Sequence, residues 1–183
     1  MAYRLKKTVA MIGMMGSGKT AIGTATARSL GVPFLDSDNE ISRAANLTIP
    51  EIFERYGEPF FREKEAQVVG PLLAGPAGIL STGGGAYLDA GNRETIAKKG
   101  VALWLRADLE LLWSRVRHKD TRPLLRTPDP KGTLAKLLRE RAPVYSEADL
   151  VVDASADYSI DLMSAKVIDV LLTRPDVLEP EAA

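Results

Sequence analysis

The stretch that decides the fold is Gly13-Met14-Met15-Gly16-Ser17-Gly18-Lys19-Thr20, which matches the pattern G-x-x-x-x-G-K-[ST] at every fixed position. It lies between an apolar run of strand length, residues 8–12, and a segment of helical character, residues 19–30. Glycines in such a loop let successive backbone N–H groups face an anion, and the N-terminus of the following helix adds positive charge. The pattern therefore predicts a nucleoside triphosphate site in which Lys19 reaches the β- and γ-phosphates and the Thr20 hydroxyl binds Mg²⁺.

Apolar runs of strand length alternate with amphipathic segments of helix length along the rest of the chain. The further predicted strands cover residues 32–35, 78–81, 101–105 and 150–152. Short apolar strands separated by helices are typical of a parallel sheet covered by helices on both faces. We therefore predict an α/β fold that is closed by a last helix over about residues 160–172.

Composition and charge exclude several classes of function. The chain has 24 Lys and Arg residues against 24 Asp and Glu residues, and zero net charge argues against a general binder of nucleic acid or anionic membranes. It has no cysteine, which excludes disulfides, thiolate metal sites and a cysteine nucleophile. Its single histidine, His118, is given no role, and no apolar run is long enough for a membrane helix. We expect a cytoplasmic protein without nucleic-acid or membrane partners.

The length of 183 residues suggests one domain, at about 150 residues per domain, which we place over residues 1–174. Within it, the sequence of residues 38–73 indicates helices that are interrupted at Gly57. Residues 117–123 are rich in charge and poor in apolar side chains, and we expect them to form a mobile loop. The tail, residues 175–183, has little apolar surface to bury and is expected to fray.

Polar and glycine residues follow two of the predicted strands, at the sheet edge where α/β proteins place ligands. Asp36 and Asp38 can have separate roles there, one near a metal ion and the other on a substrate hydroxyl. The same pattern can equally be a helix N-cap. Gly83-Gly84-Gly85 follows the next strand, where close approach of the backbone to a ligand is favoured over an ordinary turn. No acidic residue ends that strand, so Ser81 and Asp36 are the candidates to hold Mg²⁺ through water.

Three arginines are candidates for binding carboxylate or phosphate groups, because the guanidinium group forms paired hydrogen bonds with both. Arg62 lies three residues before Glu65, and a surface ion pair is the simpler interpretation of Arg62 taken alone. Arg122 and Arg141, each taken alone, are more simply explained as solvated charges.

Taken together, these motifs resemble the shikimate kinase family. The resemblance extends from about residue 8 to about residue 172 and rests on six stretches in the family's order, residues 13–20, 34–38, 57–65, 81–85, 121–125 and 141–145. It implies transfer of the γ-phosphoryl group of ATP to the 3-hydroxyl of shikimate, in the biosynthesis of chorismate and the aromatic amino acids. It also implies a three-layer α/β/α P-loop kinase fold with a five-stranded parallel sheet, a helical substrate-binding region over residues 38–73 and a mobile lid over about residues 117–130.

The resemblance also implies roles for individual residues on the side of the acceptor. Asp38 would contact the shikimate hydroxyls as base or orienter. Arg62 and Arg141 would bind the substrate carboxylate, with Glu65 holding Arg62. Gly83-Gly84-Gly85 would line the substrate site.

On the side of the nucleotide, residues 13–20 would bind ATP together with two arginines. Arg122 would come from the lid onto the phosphates, and Arg115 would flank the adenine. The stretch 153–156 matches the family's adenine-facing loop poorly, and no role is carried over there. The implied ligands are ATP, Mg²⁺ and shikimate, and the enzyme is expected to be a monomer.

Two other functions stay open at this point. Another small-molecule kinase with the same phosphate loop, such as a gluconate or nucleotide kinase, is the nearest alternative, since gluconate also carries a carboxylate and hydroxyls. A nucleotide-dependent switch is the alternative from a different class. The ordered set Asp36-Ser37-Asp38, Phe61-Arg62, Gly83-Gly84-Gly85 and Arg141 favours shikimate kinase over the other kinases. Asp38, Arg62 and Arg141 argue against the switch, because a switch needs no carboxylate clamp.

Overall fold

The computed structural model describes residues 1–119 and 122–182, and within them the chain forms seven strands in two sheets. The strands are β1 (Tyr3–Leu5), β2 (Thr8–Ile12), β3 (Phe34–Asp36), β4 (Ile79–Ser81), β5 (Gly100–Arg106), β6 (Leu150–Asp153) and β7 (Leu178–Pro180). Five of them form one parallel sheet in the order β3-β4-β2-β5-β6. This confirms the five predicted strands and the predicted parallel sheet.

Helices cover both faces of the parallel sheet. They are α1 (Lys19–Leu30), α2 (Ser37–Ala45), α3 (Ile49–Ala74), α4 (Ala90–Lys99), α5 (Leu109–Val116), α6 (Pro130–Tyr145) and α7 (Ile160–Leu171). Alternate residues of β2 face opposite sides, so Val9 packs with α1 and α7, whereas Ala10 packs with α3, α4, α5 and α6. The two apolar cores confirm the predicted three-layer arrangement.

The sheet register brings three chain segments to one edge. Asp36 pairs with Ser81, and Ser81 pairs with Met11, so β2, β3 and β4 end side by side. The phosphate loop, residues 13–20, follows β2 at this edge. Every loop that follows one of these strands therefore opens toward the same region.

The region over residues 38–73 is helical, as predicted. Thr48 accepts a hydrogen bond from the Glu51 N–H, and the Glu51 carboxylate accepts one from the Thr48 N–H, so the first turn of α3 is capped from both sides. Gly57 interrupts α3 with φ 80°, a conformation that side chains disfavour. Ile52 and Phe61 pack on α2 in a small core of their own.

The expected fraying of the tail, residues 175–183, is wrong. In the described part of that tail, β7 pairs with β1 in an antiparallel sheet, and Val177 and Leu178 are fully buried. Sequence reasoning overlooked both strands because each is stabilised by pairing with the opposite end of the chain. The described part of the tail is held in place because Val177 and Leu178 complete the core beside α1 and α7.

Part of the predicted lid, about residues 117–130, lies outside the described residues, which exclude Asp120 and Thr121. Its described part includes a short 3₁₀ turn, Pro123–Leu125, in which Leu125 is buried. The mobility of this segment stays a prediction. Among the residues that the structure describes, no helix has both the length and the apolar character needed to cross a membrane.

Candidate active site

The phosphate loop adopts a backbone that only glycine accommodates easily. Gly13, Gly16 and Gly18 have φ of 146°, 82° and 97°, and a Cβ atom at Gly13 would lie 2.7 Å from the Leu105 carbonyl oxygen. The glycines of the motif are therefore required by backbone conformation and by the close packing of the loop on β5.

Lys19 is buried against its own loop. Its ammonium group donates to the carbonyl oxygens of Gly13 at 2.8 Å and Met14 at 3.0 Å. Burial lowers the pKa of Lys19 to about 8, and the positive charge of Arg122 acts in the same direction, against the opposing charge of Asp38. The Lys19 ammonium group is thus held against the loop by two neutral acceptors.

A cavity of about 400 Å³ opens above the phosphate loop, and we call it the loop cavity. The residues predicted for nucleotide or metal that line it are Met15, Gly16, Gly18, Lys19, Thr20, Asp36, Ser81, Arg115 and Arg122. Arg115 also donates to the Gly16 carbonyl oxygen at 3.0 Å. Gly13, Met14 and Ser17 belong to the loop without lining the cavity.

Of the two aspartates at the end of β3 and the start of α2, one caps the helix and the other keeps a free oxygen. Asp36 is the N-cap of α2, because its Oδ1 accepts a hydrogen bond from the Asn39 N–H at 3.0 Å. Asp38, in the first turn of that helix, has Oδ1 buried with no partner. Burial raises the pKa of Asp38 above its usual value, and the charge of Asp36 raises it further. Asp38 is therefore the carboxylate left free for a ligand.

A second cavity, of about 330 Å³, lies beside the first, and we call it the arginine cavity. The residues predicted for the acceptor that line it are Asp38, Arg62, Gly83, Gly84, Gly85 and Arg141. Arg62 comes from α3 and Arg141 from α6, so two distant segments converge on one cavity. Five residues line both cavities, Met15, Asp38, Gly83, Gly84 and Arg122, which makes the two cavities adjoin.

Arg62 is held from two sides. Its Nη1 donates to Glu65 at 2.9 Å, and its Nη2 lies 3.3 Å from Glu58. The Glu65 side chain is only 1% exposed, and burial raises its pKa against the opposing charge of Arg62. The surface-pair interpretation of Arg62 is therefore insufficient, because its partner is buried beneath the cavity.

Each glycine of the stretch Gly83-Gly84-Gly85 makes room for a charged side chain. A Cβ atom at Gly83 would lie 2.8 Å from Asp38 Oδ1, and one at Gly84 would lie 3.1 Å from Arg141 Nη1. A Cβ atom at Gly85 would overlap the Arg62 guanidinium. Charged side chains of the site approach the glycine backbone, which explains this stretch better than an ordinary turn.

Unpaired buried atoms show what kind of ligand the arginine cavity fits. Asp38 Oδ1, Glu65 Oε2, Arg122 Nε and Arg141 Nη1 are all buried without a partner within the described residues. Such atoms are costly unless a ligand or water satisfies them. Asp38, Arg122 and Arg141 line the arginine cavity, and one acceptor with two cationic donors there suits a molecule that carries both hydroxyl and carboxylate groups.

Part of the arginine cavity was missed from the sequence. Thr48, Ile49 and Phe53, at the start of α3, line it together with Phe61 and Leu124. The spacing of Ile49 and Phe53 gave a signal, an apolar stripe, but such a stripe normally indicates a core-facing helix. Only the placement of α3 beside the glycine stretch shows that part of this stripe faces a cavity.

The comparisons with known proteins agree on one family. A family model described as shikimate kinase matches residues 15–172. A shikimate kinase of Cereibacter sphaeroides is 62% identical over 178 residues, which cover 97% of this chain and 89% of that protein. A shikimate kinase of Ruegeria pomeroyi is 60% identical over 178 residues, which cover 97% of this chain and 91% of that protein.

Solved structures separate the family from its structural neighbours. A shikimate kinase from Acinetobacter baumannii in complex with shikimate superposes with a TM-score of 0.87 at 37% identity, covering 91% of this chain and 93% of that one. A gluconokinase from Sinorhizobium meliloti reaches a TM-score of 0.58 at 17% identity over 94% and 95% of the two chains, a likeness of fold alone. The chain belongs to the shikimate kinase family.

Proposed function

We propose that this chain carries out the reaction of its family, the transfer of the γ-phosphoryl group of ATP to the 3-hydroxyl of shikimate, across its two adjoining cavities. The products are shikimate 3-phosphate and ADP. The observation that carries the proposal is that Arg62 and Arg141 line one cavity, which meets the loop cavity at Asp38 and Arg122. Substrate carboxylate, acceptor hydroxyl and phosphoryl donor can thus be bound in one continuous space.

In the arginine cavity, Arg62 and Arg141 bind the carboxylate of shikimate. Arg62 is oriented by Glu65 and Glu58 before the substrate arrives, and Arg141 is buried with its Nη1 unpaired and available for a carboxylate. The ring is then fixed with its 3-hydroxyl toward Asp38. The free Oδ1 of Asp38 orients this hydroxyl and accepts its proton.

In the loop cavity, the residues 13–20 bind the phosphates of ATP, and Arg115 flanks the adenine. Lys19 exchanges its two carbonyl acceptors for phosphate oxygens, a favourable change because a charged acceptor replaces neutral ones. Lys19 and Arg122 then neutralise the charge on the transferring group. Phosphoryl transfer needs alignment and charge stabilisation more than covalent chemistry from the protein, and these residues supply both.

The donor set at the sheet edge fits Mg²⁺. Thr20, Asp36 and Ser81 line the loop cavity and offer two hydroxyls and one carboxylate, and Asp36 pairs with Ser81 in the sheet. Mg²⁺ prefers such oxygen ligands, keeps several waters and takes the rest of its ligands from substrate phosphates. Thr20 would bind it directly, and Asp36 and Ser81 through water. When bound, it supplies positive charge beside the β- and γ-phosphates.

We also propose that the enzyme works as a monomer in the cytoplasm, where ATP is available as co-substrate. Every residue to which the proposed function assigns a role belongs to a single chain. Sedimentation of the purified protein tests the monomer, and a stable dimer would overturn it. Cell fractionation tests the location, and recovery of the enzyme outside the cytoplasmic fraction would overturn it.

Release of ADP, measured in separate reactions with shikimate, gluconate and nucleoside monophosphates, tests the proposed function. We expect release that depends on shikimate and on Mg²⁺, with at most background rates for the other acceptors. Faster release with gluconate or a nucleoside monophosphate would overturn the assignment of the acceptor. ADP release that no acceptor stimulates would favour a nucleotide-dependent switch.

A further inference from the structure

Tyr145 is a buried polar side chain that the proposed chemistry does not use. It ends α6, one helical turn after Arg141, and its side chain is fully buried. It lines neither the loop cavity nor the arginine cavity. In the sequence it is the last residue of the stretch 141–145, where nothing distinguishes it from an ordinary core aromatic.

The Tyr145 hydroxyl lies between the two halves of the site. It donates a hydrogen bond to the Gly84 carbonyl oxygen, and it lies 4.0 Å from the sulfur of Met14 in the phosphate loop. The ring is packed against Trp104 at 5.8 Å between centroids, which fixes the direction of the hydroxyl. Burial raises the pKa of this hydroxyl against the opposing charge of Arg141, and the hydroxyl is a donor at neutral pH, as in an ordinary tyrosine.

Gly84 is the contact point between the glycine stretch and the phosphate loop. A Cβ atom at Gly84 would lie 3.6 Å from both the Gly13 carbonyl oxygen and the Met15 nitrogen, so the space between the two backbones has room for little more than one such atom. The same atom would lie 3.1 Å from Arg141 Nη1. A rotation of the Gly84 peptide would therefore disturb both the carboxylate clamp and the phosphate loop.

The peptide that Tyr145 holds also carries an unpaired donor. A peptide group is planar and trans, so the Gly84 carbonyl and the Gly85 N–H point in opposite directions. Within the described residues, the N–H groups of Gly84 and Gly85 donate to no protein acceptor. Gly85 is buried and lines the arginine cavity, and a buried N–H normally requires a partner. Glycine has no side chain to restrict rotation of this peptide, which makes an external anchor necessary.

We propose that Tyr145 is a positioning residue for the acceptor: its hydroxyl holds the Gly84 carbonyl so that the Gly85 N–H is presented to the oxygen-rich substrate in the arginine cavity. The inference rests on the proposed function, in which shikimate occupies that cavity. It assigns to Tyr145 no contact with substrate. The alternative is that Tyr145 contributes to stability alone, as a core residue with a satisfied hydroxyl.

Tyr145→Phe tests the inference, because it removes the hydroxyl and keeps the packed ring. We expect the dissociation constant for shikimate, measured by calorimetric titration, to rise about three- to tenfold, as the loss of one oriented hydrogen bond predicts. The dissociation constant for ATP should change less than twofold. A purely structural role would lower thermal stability and leave both constants near those of the wild type, and that outcome would overturn the inference. Equal loss of affinity for both ligands would also overturn it.

Tyr87→Phe is the matched control. Tyr87 is a nearly buried tyrosine two residues after Gly85, and within the described residues its hydroxyl makes no hydrogen bond. Removal of this hydroxyl should leave the affinity for shikimate unchanged. A loss as large as that of Tyr145→Phe would mean that any hydroxyl near the glycine stretch matters, and would overturn the specific role of Tyr145.

A measurement on the wild-type protein keeps the inference testable if the variant does not fold. In a protein labelled with ¹⁵N-glycine, the Gly85 amide resonance should shift on addition of shikimate, because the N–H gains an oxygen acceptor. An unmoved Gly85 resonance at saturating shikimate would overturn the inference. Failure of wild-type protein to bind shikimate at all would instead overturn the proposed function, so the two failures are distinguishable.

Discussion

The loop cavity and the arginine cavity adjoin, but they are built in different ways. The phosphate loop takes consecutive residues, 13–20, and its lysine is satisfied by carbonyl groups of the same loop. The arginine cavity draws on α2, α3, the glycine stretch and α6, and three of its charged groups, Asp38, Arg122 and Arg141, keep unpaired atoms. The lysine of the phosphate loop is thus satisfied by its own loop, although the Ser17 hydroxyl is not, whereas most charged groups of the arginine cavity keep an atom free for a ligand.

This difference predicts which measured quantity each half controls. Charges over the phosphate loop act on the transferring group and should affect turnover. In the proposed function, the guanidinium groups of Arg62 and Arg141 hold the bound acceptor in both the ground state and the transition state, so they should affect the Michaelis constant for shikimate. Asp38, which lines both cavities, should affect turnover although it belongs to the acceptor side.

The largest expected effect is that of Lys19→Ala. Removal of the ammonium should lower kcat at saturating substrates by about 10³-fold or more, because its charge stabilises the transferring phosphoryl group. Lys98→Ala is the control, an exposed lysine paired with Glu94 on α4, and should keep wild-type turnover. Near wild-type turnover in Lys19→Ala would contradict the division between the two halves.

Asp38→Asn should have the next largest effect. The amide keeps the shape of the carboxylate and loses its ability to accept a proton, so kcat should fall about 10²- to 10⁴-fold with ATP affinity retained. In the wild type, kcat should fall with decreasing pH as Asp38 becomes protonated, at a pH above that expected for an ordinary aspartate, since burial raises its pKa. Unchanged turnover in the variant would leave Asp38 as a residue of the first helical turn only.

Arg141→Ala should affect binding of the acceptor more than turnover. We expect the Michaelis constant for shikimate to rise by about 10- to 100-fold, the cost of one charge-assisted contact, with little change in ATP affinity. Arg139→Ala, an exposed arginine on the same helix, is the matched control. A change confined to ATP affinity would contradict the clamp.

The smallest expected effects are on the thermal stability of the protein. Removal of the charge at Asp38 and removal of the charge at Asp176 should change this stability in opposite directions. Burial raises the pKa of Asp38 in the folded state, so its contribution to stability is complete below the unfolded-state pKa and is lost as pH rises through the folded-state pKa. Hydrogen bonds from Arg174 and Lys7 lower the pKa of the exposed Asp176, so its contribution is present above the unfolded-state pKa and is lost as pH falls through the folded-state pKa.

At pH 7, Asp38→Asn should therefore raise the midpoint of thermal unfolding, and Asp176→Asn should lower it slightly, since its ion pairs are solvent-exposed. At pH 4 the difference for Asp38 should shrink, because the wild-type carboxyl becomes protonated in the folded state. Thermal unfolding followed by circular dichroism measures both. Shifts of equal sign at pH 7 would show that the two carboxylates do not differ as the structure indicates.

The fold could be predicted from short-range patterns for most of its length. The five strands of the parallel sheet and the phosphate loop can each be recognised from a few consecutive residues. The short strands β1 and β7 gave no such signal, because each is stabilised by the other end of the chain. Fraying of the tail was a natural prediction for residues 175–183 and was wrong for this reason.

The candidate site was predictable to a different extent in its two halves. The resemblance to a family pointed to Arg62 and Arg141, but nothing in their neighbouring residues distinguishes them from surface charges. Tyr145 shows more clearly what sequence patterns cannot predict, since its hydrogen bond to Gly84 joins residues that are distant in the chain. Local patterns report local contacts, and this bond is not local.

By itself, the sequence determined the parallel sheet, the phosphate loop and the class of ligand that the loop binds, because backbone conformation and strand burial follow from residues close together in the chain. The tertiary structure alone decided that Arg62 and Arg141 enter one cavity, that Glu65 is buried beneath Arg62, and that the glycine stretch lies against charged side chains. These arrangements depend on how α3 and α6 pack across the sheet edge, and packing is set by the shape of the whole core.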